Sequence, residues 1–143
     1  PKGVRFQILL FSTHIVPFGK TLVVANSRTK YLASKFIQKI QIQPHLTDLY
    51  SVLKEGFSYY PGCIFLFTDG TSTAGKYFQN PMKILREVKE WNFLKLTEIH
   101  TFGIFRSHSL EFRPFSEKPI FGSSVTFLKS LAEQNGGIFL HNY

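Results

Sequence analysis

The stretch Cys63-Ile64-Phe65-Leu66-Phe67-Thr68-Asp69-Gly70 constrains this chain more than any other: an unbroken apolar run ends on a threonine, an acid and a glycine. Turn signals bound it, Tyr60-Pro61-Gly62 before and Gly70 after. A short apolar run so bounded predicts a strand buried on both faces, as in the middle of a parallel sheet. Asp69 then falls just past the strand's C-terminal end, the edge at which open α/β sheets gather loops and helix N-termini around ligands. The same Asp-Gly pair also serves as a plain turn opener, so position rather than residue type makes Asp69 a candidate.

The flanking sequence alternates strand and helix patterns. Residues 4–11 begin with apolar alternation and end in a solid apolar run, which predicts a strand entering a buried sheet, with Ser12-Thr13-His14 as the loop after it. Thr21-Leu22-Val23-Val24-Ala25 follows too soon for a crossover helix, so it is expected as an antiparallel edge strand. From Ser27 the period is helical, with Tyr31, Leu32, Phe36 and Ile40 on one face and Lys30, Lys35 and Lys39 elsewhere, up to a stop before Pro44. Thr47 or Asp48 is placed to cap a helix burying Leu49, Tyr50, Leu53 and Phe57. Asn80-Pro81 opens another over Ile84, Leu85, Val88 and Trp91. Residues 99–105 read as a strand, residues 106–122 as a long aromatic loop insertion, and Ser123 or Ser124 as the cap of a last helix that Gly136-Gly137 stops before a strand at 138–140. The expected class is α/β: a Rossmann-like three-layer sandwich whose central sheet is mostly parallel with one antiparallel edge strand, in a single domain over 1–143.

Composition narrows the function classes. The chain of 143 residues has one cysteine, Cys63, which excludes an internal disulfide framework and favours an intracellular setting. No apolar run reaches the length of a membrane span. The net charge of +8 is uneven, since residues 1–47 hold Lys2, Arg5, Lys20, Arg28, Lys30, Lys35 and Lys39 and no acid. Such a half attracts an acidic protein surface or nucleic acid, although the charges are dispersed and form no recognised binding motif. The histidines, His14, His45, His100, His108 and His141, show no metal-ligand spacing. Phosphate-cradling glycine loops and the Gly-x-Ser-x-Gly elbow are absent.

The two aspartates, Asp48 and Asp69, are both expected where loops meet at one sheet edge, with Thr47 beside the first and Thr68, Thr71 and Ser72 beside the second. Carboxylate and hydroxyl oxygens are what a hard cation such as Mg²⁺ selects. Here the order of elements resembles von Willebrand factor type A domains. Ile64 to Gly70 is similar to the family's fourth strand with its Thr-Asp-Gly ending, and Leu46-Thr47-Asp48-Leu49 to its threonine loop. Residues 99–104 are similar to its fifth strand, and residues 127–137 to its last helix with the Leu-Ala-x-x-x-Gly-Gly ending.

The resemblance implies a non-enzymatic protein-protein interaction domain within a larger protein or complex. It also implies a metal-ion-dependent adhesion site, with Thr47 and Asp69 as metal ligands and Asp48, Thr68, Gly70, Thr71 and Ser72 lining the binding edge. The family's Asp-x-Ser-x-Ser loop is missing from this chain. Either the strand and helix that carry it lie outside the sequence, and another segment fills the gap in the sheet, or the domain binds its partner without metal. The alternatives are a nucleic-acid-associated scaffold using the basic half and, from another class, a metal-dependent hydrolase or phosphotransferase.

Overall fold

The computed structural model describes residues 3–40, 46–105 and 120–142. In chain order the elements are β1 (Arg5–Phe6), β2 (Leu9–Phe11), β3 (Ile15–Pro17), β4 (Val23–Val24), α1 (Ser27–Gln38), α2 (Leu49–Ser58), β5 (Cys63–Thr68), α3 (Pro81–Asn92), β6 (Glu98–Ile104), α4 (Ile120–Glu133) and β7 (Phe139–Asn142). The class is mixed α/β, built on a three-stranded parallel sheet in the order β5-β6-β7.

Each parallel step needs a crossover, and α3 and α4 supply them. Because the strand order runs in one direction, crossovers of one hand place both helices on the same face of the sheet. There α2 joins them, and Leu49, Leu53, Phe57, Leu66, Ile84, Leu85, Val88, Ile99, Phe127, Leu128 and Leu131 form the core. Leu49, Leu53, Phe57, Ile84, Leu85 and Val88 are helical positions whose spacing predicted burial, and Trp91 packs against the same cluster. Buried polar groups are paired: Thr101 Oγ1 donates to the Leu128 carbonyl at 2.9 Å. Beneath the strands Asn92 Nδ2 donates both to Asn135 Oδ1 at 2.7 Å and to the Thr97 carbonyl at 2.8 Å, tying the ends of α3 and α4 together. Gly137 lies hard against the Ile99 backbone, where any Cβ would overlap the carbonyl.

The other face of the sheet is bare among the described residues. Phe65 is 61% and Phe67 56% exposed, so β5 is not buried on both faces as its composition predicts. Its Leu66 and Thr68 point to the core, while Cys63, Phe65 and Phe67 line up with Glu98, His100 and Phe102 on the open side. Phe67 stacks on Phe102 at 4.5 Å and Phe65 on His100 at 5.1 Å, so the rings shield one another for want of a covering layer. The far edge of β5 has no ladder partner among the described residues.

The N-terminal segment differs from expectation more strongly. Residues 4–11 form not one strand but two, β1 and β2, because Gln7 turns its amide onto Gly19, donating to its carbonyl at 2.6 Å and accepting from its N–H at 3.0 Å. β1 pairs antiparallel with β4 as expected, and β2 with β3, a strand the sequence reading missed. Ser12-Thr13-His14 is the bend between β2 and β3. These pairs are separate sheets, so among the described residues no antiparallel strand edges the parallel one. Asn26 and Thr29 cap α1 reciprocally, yet Ala33 is its one buried residue: Tyr31, Leu32 and Ile40 are exposed, and half-buried Phe36 meets the ring of Phe18.

Two further boundaries move. The last helix starts at Ile120, so Ser123 and Ser124 lie inside it rather than capping it, and the loop expected over 106–122 ends sooner. The rest of that loop, with Phe112 and Phe115, and Pro44 after α1 lie outside the described residues. Among the described residues no helix is long and apolar enough to cross a membrane.

Leu128 is fully buried, so Leu128→Ala is expected to lower the unfolding free energy by roughly 2–5 kcal/mol, read from urea denaturation. A change near zero would show that α4 does not anchor the core.

Candidate functional site

At the C-terminal end of β5 the chain passes from Thr68 into a loop that reaches α3 at Pro81. Gly70 makes the exit, with φ of 75°, and sits so close to Leu128 and the Ser124 carbonyl of α4 that a side chain would collide with both. The buried Thr68 hydroxyl accepts the Gly70 N–H at 3.2 Å. Asp69, exposed, bends over the turn: its Oδ1 accepts the Thr71 N–H at 2.9 Å. Asp69 is thus a turn former and an open carboxylate at the same time. Thr71 Oγ1 lies 3.3 Å from Ser124 Oγ, a second tie to α4.

The loop then crosses to the start of α2. Thr73 and Ala74 N–H both donate to the Thr47 carbonyl, at 2.9 and 3.0 Å, and Thr47 N–H donates back to Thr73 Oγ1 at 2.7 Å. Ser72 Oγ donates to the same carbonyl at 3.3 Å and accepts the Leu49 N–H at 3.4 Å. The structure therefore brings Thr47, Ser72 and Thr73 together through backbone bonds, on the loop that begins at Asp69. Ser12 on the β2–β3 bend accepts the Asp48 N–H at 2.9 Å, which puts a third segment at this edge.

Asp48 has a structural task. It is the N-cap of α2, with Oδ1 accepting the Ser51 N–H at 2.9 Å and Oδ2 the Ser51 hydroxyl at 2.6 Å. Gly75, at φ of 80°, presses on this carboxylate so closely that a Cβ would overlap it. For a hard cation, the donors of the right chemistry are the hydroxyl of Thr47 and the carboxylate of Asp69. That set fits Mg²⁺ in kind, since this ion keeps several waters and takes few protein oxygens. The oxygens of Asp48 are already engaged.

Beyond Gly75 the loop is clamped by a cluster that sequence reasoning missed. Lys76 Nζ lies 3.0 Å from Glu87 Oε1 and 3.3 Å from Tyr50 Oη, over the rings of Tyr50 and Tyr77. Tyr77 and Tyr50 hydroxyls donate to the two Glu87 oxygens at 2.9 and 3.2 Å. Hydrogen bonding from Lys76, then Tyr77, holds the Glu87 carboxyl below its ordinary range, and contacts with Tyr77, Glu87 and Tyr50 hold the Lys76 ammonium above its own. The cluster joins α2, the loop and α3, so it leaves no local sequence pattern.

A second group of donors, also unforeseen, lies at the opposite end of the strands: Cys63, Glu98 and His100, with ligand atoms within 4.8 Å of one another. No protein-family model matches the chain, and no curated protein matches it.

The Glu87 clamp gives a pH dependence of known sign. A carboxyl depressed in the folded state stabilises above its unfolded value and ceases to do so as pH falls through its folded value. Acidification through and below the carboxylate range is therefore expected to lower the melting temperature, and Glu87→Gln to flatten that part of the profile. Identical profiles for the two proteins would show that the clamp does not hold the loop.

Proposed function

We propose that this chain is a von Willebrand factor A-like interaction domain, a Rossmann-like sandwich that binds a protein partner without catalysing a reaction. The observation that carries the reading is the bare side of the parallel sheet. Phe65, Phe67, Phe102, Ile104, Ile138 and Leu140 lie along strands that in α/β proteins are covered on both faces, and β5 leaves an open edge beside them. An apolar surface of this kind marks an interaction site. The loop edge at Thr47 and Asp69 adds a place for Mg²⁺ and, through it, an acidic group of the partner. The basic N-terminal half favours an acidic partner by long-range attraction. An assembly in a larger complex suits both surfaces.

A photo-crosslinking phenylalanine analogue at position 67 is expected to capture discrete protein adducts in cells, whereas the same group at exposed Lys89 on α3 captures none. No difference between the two positions would sink the interaction reading. Adducts destroyed by nuclease and not by protease would replace it with nucleic-acid association.

The metal is tested separately. Mg²⁺ titrated by calorimetry into the chain and into Asp69→Ala is expected to give saturable heat for the first and none for the second. Equal responses remove Asp69 from any cation site.

A further inference from the structure

The N-terminal ends of β5 and β6 place three different donor atoms on the bare side of the sheet. Cys63 is the cross-strand partner of Glu98, and His100 follows two residues on, so the pleat turns all three side chains to one face. Their sulfur, oxygen and nitrogen atoms lie within 4.8 Å of one another, with Glu98 Oε2 3.6 Å from His100 Nε2. We propose that Cys63, Glu98 and His100 form a zinc-type site, three protein ligands with water in the fourth position.

The donor set selects the metal. Thiolate and imidazole suit zinc or cobalt and are poor ligands for magnesium, so this site is chemically distinct from the Thr47–Asp69 edge and independent of the function proposed above. Its parts are held in place before any ion arrives. The Phe65 ring stacks on the imidazole at 5.1 Å and 20°, fixing its plane. In the metal-free protein the Ile138 N–H donates to Nδ1 at 3.1 Å, which leaves Nε2 turned toward the other ligands.

The same hydrogen bond sets the proton balance. With Nδ1 accepting, the neutral imidazole carries its proton on Nε2, facing Glu98. An ion bound through Nε2 moves that proton to Nδ1, and the Ile138 N–H gives up its acceptor to water. Cys63 loses its thiol proton to solvent as the sulfur–metal bond forms. Binding therefore releases one proton per ion and breaks the Ile138 bond, because Nδ1–H and the Ile138 N–H are then both donors and the ring has to turn off the amide. Burial and then Glu98 push the Cys63 thiol up, so without metal it is a neutral thiol and not an activated nucleophile.

Cobalt(II) reports sulfur ligation directly, and the chain has one cysteine. Titrated with Co²⁺ under reducing conditions, the protein is expected to show a near-ultraviolet sulfur-to-cobalt band and the intense visible bands of four-coordinate cobalt, both abolished by stoichiometric Zn²⁺. Cys63→Ser should lose the sulfur band. Glu98→Gln, a change at an exposed side chain that leaves folding intact, should keep the band and weaken affinity roughly tenfold or more. Asp69→Ala should bind cobalt as the unaltered chain does. Absence of the sulfur band, its persistence in Cys63→Ser, or unchanged affinity in Glu98→Gln would each overturn the proposal.

Discussion

The architecture depends on one constraint: a parallel sheet laid down in the order β5-β6-β7 sends both its crossover helices to the same side. Everything buried follows from that. α2 closes the same layer, Thr101 and Leu128 lock α4 to the middle strand, and Gly70 exits β5 in contact with α4. The loop that bears Asp69 is placed by that contact together with the turn that Asp69 closes on Thr71. Because α2, α3 and α4 lie on one side, the opposite side keeps its phenylalanines in the open among the described residues, and the exposed apolar face is the direct counterpart of the core.

The elements of the core were legible in the sequence because each is periodic on its own scale. Leu49, Leu53 and Phe57, or Ile84, Leu85 and Val88, announce a helix face without help from elsewhere. β5 was legible as a strand but not in its surroundings. Phe65 and Leu66 are both large and apolar, and nothing in the residue type tells which one meets a covering layer. Residues 4–11 show the limit of periodicity in another way, since their strand pattern is interrupted by a side-chain bond from Gln7 to Gly19 that only the folded chain brings together.

The positions of the candidate residues were legible to about the same depth. Asp69 lies at the strand end, as its position implied, and Thr47 meets the loop that follows it. Asp48 answers to two descriptions, lining of the binding edge or helix cap, and both of its oxygens go to Ser51. The Lys76–Glu87 clamp and the Cys63–Glu98–His100 group join residues far apart in the chain. The first depends on how a loop returns over two helices, the second on cross-strand register, and neither leaves a spacing to read.

The amide of Asn135 joins α4 to the end of α3, its Nδ2 donating to the Leu131 carbonyl at 2.7 Å and its Oδ1 accepting from Asn92. It is followed by Gly136, and an Asn-Gly bond is the sequence at which the backbone nitrogen most readily attacks the side-chain amide. Deamidation here would set a carboxylate against the Leu131 carbonyl oxygen in a buried position. The fold thus protects chemically the residue it relies on structurally: while both hydrogen bonds hold, the amide is kept from the attacking nitrogen.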